Sequence, residues 1–181
     1  MTNYRIDYDE DVWVPVPEGD DADWPATLVA HVERRTGTLS PERAADVIAF
    51  AEACRAARTE QTGTLLAFCP LAMLPVTGLL AVRVEEVEQP LDLTIAAVDD
   101  DAAMLTPALE EVDGGWWGSG RRAAVIVAST EPGIVAGRFN YAFQRDGVAL
   151  LATAVADSVP FATAMLPYAD RLVSHVVLED S

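Results

Sequence analysis

The chain has 181 residues, 51% hydrophobic and 23% charged, with a formal net charge of −17. That profile excludes a disordered chain, and 29 acids against 12 bases speak against nucleic acid and anionic membrane surfaces, both of which demand cations. Every basic residue is arginine, so a lysine Schiff base, a pyridoxal-phosphate anchor and a P-loop lysine are excluded.

The length favours one domain over residues 1–181, of a size that buries about 70% of its unfolded surface without a disulfide or metal staple. Cys54 and Cys69 sit in apolar segments outside any C-x-x-C pair and read as small buried hydrophobes and free thiols. The opening residues, Thr2 to Glu10, are polar and acidic with no h-region, and the expectation is a cytoplasmic protein. Thr64 to Val82 is apolar but broken by Pro70, Pro75 and Gly78, too interrupted to span a membrane.

Tyr4, Ile6 and Tyr8 alternate with polar residues and predict a first strand. Val12, Val14 and Val16 alternate again, but Pro15 and Pro17 between them confine this piece to an edge strand or an extended arm. Asp23 is placed as a helix N-cap before Pro25, with Leu28, Val29 and Val32 as the apolar stripe and Gly37 as C-cap. Ser40-Pro41-Glu42 opens a second helix carrying Ala44, Val47, Ile48, Ala51 and Cys54 at helical spacing.

The chain then turns to strands: Leu65–Cys69, Leu80–Val84 and Leu91–Ile95. Asp99-Asp100-Asp101 is read as the cap of a third helix through Met104, Leu105, Ala108, Leu109 and Val112, limited by Pro107. Gly114 to Gly120 reads as a glycine-rich loop. Three strands follow at Ala123–Ala128, Phe139–Phe143 and Val148–Val155, the last two joined by an Asp146-Gly147 hairpin turn. Phe161 to Val173 reads as a closing helix with Phe161, Met165 and Leu172 inward. Strands in consecutive runs with short turns predict an α+β fold, an antiparallel sheet with helices packed on it.

The segment Arg138-Phe139-Asn140-Tyr141-Ala142-Phe143, the Asp146-Gly147 hairpin, a long apolar strand and a closing helix resemble the end of PsbP-like domains. That fold group also takes in Mog-type Ran-binding proteins and small actinobacterial proteins. The resemblance covers most of the chain in element order and rests on no specific motif. It implies an interaction role, that of a binding subunit or adaptor, and carries over no functional residue.

No cofactor motif occurs, and no metal-ligand spacing. His31 and His175 lie far apart, outside H-x-x-x-H context. Ser174 and His175, read as strand neighbours, are expected to point to opposite faces. Asp20-Asp21-x-Asp23 and Asp99-Asp100-Asp101 lack a calcium-loop framework and read as caps and solvated turns. No catalytic residue is assigned.

The segment Gly114-Gly115-Trp116-Trp117-Gly118-Ser119-Gly120-Arg121-Arg122 is the candidate partner-binding site. Tryptophan supplies contact area and arginine a fork for carboxylate or phosphate, so Trp116, Trp117, Arg121 and Arg122 are the expected contacts. The competing reading is a turn whose tryptophans fold back over the sheet. Two classes of function follow. One is a non-catalytic binding or adaptor protein, using a face of the sheet or the tryptophan loop to hold another protein of basic character, with a homo-oligomer also open. The other is a small-ligand protein or enzyme with a pocket between sheet and helices.

Overall fold

The structure, a computed structural model, describes residues 3–19, 21–59, 62–70, 75–98, 101–129 and 133–179. In chain order the elements are β1 (Tyr4–Ile6), β2 (Trp13–Pro15), α1 (Trp24–Thr36), α2 (Pro41–Ala56), β3 (Thr64–Phe68), β4 (Gly78–Glu86) and α3 (Leu93–Val98). Then come β5 (Ala108–Asp113), a 3-10 turn (Gly115–Trp117), β6 (Ser119–Ala128), β7 (Val135–Arg145), β8 (Val148–Ala156), α4 (Val159–Ser174) and β9 (Val176–Leu178).

Seven strands form one antiparallel sheet in the order β2-β3-β4-β8-β7-β6-β5, and β1 pairs with β9 as a separate ribbon. The expected α+β class holds. At the hairpin of β7 and β8, Asp146 and Gly147 both take positive φ, 51° and 78°, the backbone a two-residue turn needs to match the twist of its strands. β2 is the expected edge strand, with Pro15 inside it.

Strand alternation sends side chains to two faces. On one face, Ala162, Met165, Ala169, Leu172 and Val173 of α4 pack against Leu66, Leu80, Val82, Tyr141, Phe143 and Leu150. On the other, Trp24 and Leu28 of α1 and Ala51 and Cys54 of α2 cover Leu65 and Ala67 of β3. Farther along that face, Ala97 of α3 covers Ala123, Val125 and Val127 of β6 and Ala136 and Ala142 of β7. The central strands β4, β8 and β7 are thus roofed by α4 on one side, while the two helical blocks on the other side stand apart.

The helix ends follow local chemistry. Ser40 accepts a hydrogen bond from the Arg43 amide, with Pro41 and Glu42 in the first turn of α2, as an N-cap should. At α1, Asp23 holds the cap position without a side-chain bond; its amide donates instead to the Asp21 carboxylate at 2.9 Å.

Three expectations are corrected. Leu91–Ile95 alternates as a strand would, but Leu93–Val98 is a short helix, started by the Asp92 carboxylate accepting from the amides of Thr94 and Ile95 at 3.0 and 3.1 Å. The expected third helix through Met104 and Val112 is not formed: Ala108–Asp113 is strand β5, whose Glu110 and Glu111 lie across from Arg122 and Arg121 on β6. Opposite-charge cross-strand pairs and ladder bonds outweigh helical spacing there. The Gly114–Gly120 loop is shorter than expected, a single 3-10 turn with β6 beginning at Ser119. The proposed caps Asp99 and Asp100 lie outside the described residues, as does Asp20.

Candidate functional site

The tryptophan segment divides. Trp117 is buried, and its indole N–H donates to the Val176 carbonyl at 2.7 Å. It locks the 3-10 turn onto β9. Trp116 stays 36% exposed, its ring meeting Trp117 edge-on at 5.1 Å. The Arg145 guanidinium lies 4.4 Å from the Trp116 ring centroid and donates to the Trp116 carbonyl. The glycines have a packing reason. A Cβ on Gly114 or Gly120 would come within 2.4 or 2.2 Å of the Phe143 ring, so the hairpin crosses Phe143 only where side chains are absent.

The two arginines lie on β6 with side chains on opposite faces. Arg121 pairs with Glu111 at 3.0 Å. The Glu111 carboxyl is held below its usual range by a hydrogen bond from Ser119 and then by Arg121. Arg122 turns toward α4. It donates to both oxygens of Asp170, at 2.7 and 2.5 Å, and also binds Glu110. Burial disfavours its charge, but the bonds to Asp170 and Glu110 outweigh that and raise its pKa. The Tyr141 hydroxyl donates to the same Asp170 oxygen at 2.8 Å. Burial, then the Asp170 charge, push the phenol well above its ordinary value, so Tyr141 stays a protonated donor at neutral pH. A crevice of about 260 Å³ opens beside this network.

The histidines are placed apart. His31 on α1 faces Arg34, whose Nη2 lies 3.0 Å from Nδ1. His175 is not on a strand; it caps α4. Contrary to the expected opposite facing, Ser174 Oγ lies 3.2 Å from His175 Nδ1. Both groups reach the Arg171 carbonyl, at 2.7 and 2.6 Å. A carbonyl only accepts, so Nδ1 carries its proton and is no base toward Ser174. Cys54 and Cys69 are free and buried; burial raises both thiols, that of Cys69 to about 11. Among the described residues no group of three or more His, Cys, Asp or Glu could hold a metal ion, and no helix is long and apolar enough to cross a membrane.

Two features are built from residues that the sequence does not single out. The first is the outer edge of β5. Among the described residues this strand ends the sheet and pairs only with β6. Beside it Ala103 bridges Val127, which carries the edge back past Pro107. Along and beside this edge Met104, Leu105, Leu109 and Ile95 are between 40% and 63% exposed. Ile134 and Val135, 42% and 39% exposed, enter β7 opposite Ala128 at the same corner. At its other end the edge runs through Asp113 into the turn that presents Trp116. The opposite edge of the sheet is short: β2 is three residues long, with Trp13 and Val14 buried.

The second is a trough of about 520 Å³ on the face away from α4, between the end of α2 and α3. Its floor is Ala81 of β4, Leu151 and Thr153 of β8 and Asn140 of β7, with Arg83 and Arg138 also lining it. Thr153 donates to Asn140 Oδ1 at 3.3 Å, and the Asn140 amide donates to the Ala97 carbonyl at 3.2 Å. None of the four expected contact residues lines it.

No family model matches the chain, and no curated protein does. Among solved structures there is a match. The chain is similar to LpqN of Mycobacterium tuberculosis, described as involved in cell envelope biogenesis. Identity is 7%, the match covers 99% of this chain and 85% of that one, and the TM-score is 0.47.

Proposed function

We infer that this chain is a non-catalytic binding protein that holds a basic protein partner along the open edge of β5. The observation that carries the reading is the edge itself: a terminal strand paired on one side only, flanked by exposed Leu105, Leu109 and Trp116. An unpaired strand edge offers backbone donors and acceptors to an incoming extended segment, and alternate side chains set its specificity. The edge also carries Glu110 and Glu111, whose side chains are 60% and 67% exposed. The chain as a whole bears −17, so a basic segment is the charge-matched occupant.

Of the four contacts expected from sequence, Trp116 stands open to such a partner, while Arg121 is held by Glu111. Trp117 and Arg122 would act by fixing the turn and strand that present them. The resemblance to PsbP-like and Mog-type domains belongs to this same proposal, as does a cytoplasmic setting, which the two free, buried cysteines support.

The test compares recovery of binding proteins by the wild-type chain and by a Leu105→Arg/Leu109→Arg variant of unchanged melting temperature. The reading expects a protein with a basic, extended segment that the variant loses. Equal recovery by both forms contradicts it.

A further inference from the structure

The trough on the open face of the sheet is a second site, independent of the β5 edge. The floor is made of short side chains: Ala81 on β4 lies across from Thr153 on β8, which lies across from Asn140 on β7. One residue pair away on one side sits Arg83, across from Leu151; on the other side Arg138 lies across from Val155. Small residues in the middle row and long side chains in the rows beside it make a hollow. Among the described residues that line the cavity are two arginines, Arg83 and Arg138, and one acid, Asp101.

Arg83 is already oriented. Glu85, two residues along the same face, takes its Nε at 3.1 Å and its Nη2 at 3.4 Å. Nη1 makes no hydrogen bond among the described residues. A guanidinium gripped along one edge keeps its remaining N–H groups in a fixed plane, the geometry that suits an oxyanion. The Thr153 hydroxyl and Asn140 amide on the floor add polar groups of fixed direction, and Ala81, Ala96 and Leu151 add apolar wall. The volume, about 520 Å³, falls in the range of small-molecule sites.

We propose that this trough binds a small molecule bearing an oxyanion, carboxylate or phosphate, against Arg83, with a short apolar body over Ala81 and Leu151. Glu85 tunes the affinity by competing for Arg83.

The test is a pair of titrations of the full chain followed by amide nuclear magnetic resonance, one with inorganic phosphate and one with hexanoate. The site predicts saturable shifts gathered at Ala81–Arg83, Arg138–Asn140 and Leu151–Thr153, and the tighter probe identifies which oxyanion is preferred. Arg83→Gln should weaken binding about tenfold, the worth of one charge-assisted hydrogen bond. Glu85→Gln should tighten it, an effect that general loosening of the strand would not produce. If Arg83→Gln does not fold, Glu85→Gln decides alone. Weaker binding in the first variant or tighter binding in the second supports the site. No saturable shift on these strands with either probe, or unchanged affinity in every folded variant, overturns it.

Discussion

Arg122 on β6 and Asp170 on α4 share two hydrogen bonds, with Nη1 2.7 Å from Oδ1 and 2.5 Å from Oδ2. The pair ties the outer part of the sheet to the helix that roofs its centre. Asp170 also accepts from Tyr141, so one carboxylate satisfies two side chains that are otherwise shut away from water. The adjacent arginines, which in sequence look like an exposed anion clamp, thus serve two faces of the sheet.

Removing Asp170 should cost more than removing an ordinary surface acid. The Arg122 side chain is only 13% exposed, and Asp170→Ala leaves it and the Tyr141 hydroxyl without their shared acceptor. The expected loss is about 2 kcal/mol, from the desolvation of the stranded groups. An Arg122→Met/Asp170→Leu double variant should lose less than the two single losses added, because no charge is stranded. Urea denaturation of the four proteins checks this; additive losses would contradict the coupling.

The two tryptophans should separate in stability. Trp117→Ala removes a buried ring and its bond to the Val176 carbonyl, and should cost about 3–5 kcal/mol. Trp116→Ala removes a ring in contact with solvent and with Arg145, and should cost within about 1 kcal/mol. Guanidinium denaturation of each single variant reads the difference.

A pH dependence follows from His31. Burial, then Arg34, lower its pKa; Arg35 adds to this, while Asp11 and Glu10 oppose it. The unfolded chain therefore binds the proton more readily than the folded one. The stability that His31 contributes is present above its unfolded pKa of about 6.5 and is lost as pH falls through that value toward the lower folded one. The stability difference between wild type and His31→Gln should then be smaller at pH 5.5 than at pH 7.5. A difference that does not change with pH would show that His31 is not the group responsible.

Where periodicity was strong the sequence was legible. Ser40-Pro41-Glu42 started α2 as its chemistry requires, and the alternation of Phe139, Tyr141 and Phe143 with Asp146-Gly147 fixed the β7–β8 hairpin. The misreading fell on Ala108–Asp113, where Leu109 and Val112 stand at a spacing that a helix also uses. A signal was present: Glu110-Glu111 and Arg121-Arg122 mirror each other about the Gly114–Gly118 turn, the pattern of a charged hairpin. Taking this hairpin for a helix and a loop hid the sheet edge, and with it the exposed row from Leu105 to Trp116. The trough was illegible for another reason. Arg83, Asn140 and Thr153 are ordinary strand residues, and only the order β4-β8-β7 brings them together.

The β5 edge is tested most directly by hydrogen exchange of its own amides. The partner recovered by the wild-type chain is added in excess, and exchange is followed at Ala108–Asp113. If the partner adds a strand, the outward-facing amides of β5 should slow at least tenfold, while those of β2 at the opposite edge stay unchanged. Rising salt should reverse the effect by weakening the attraction of a basic segment to this acidic chain. Binding that leaves β5 exchange unaltered would contradict the account.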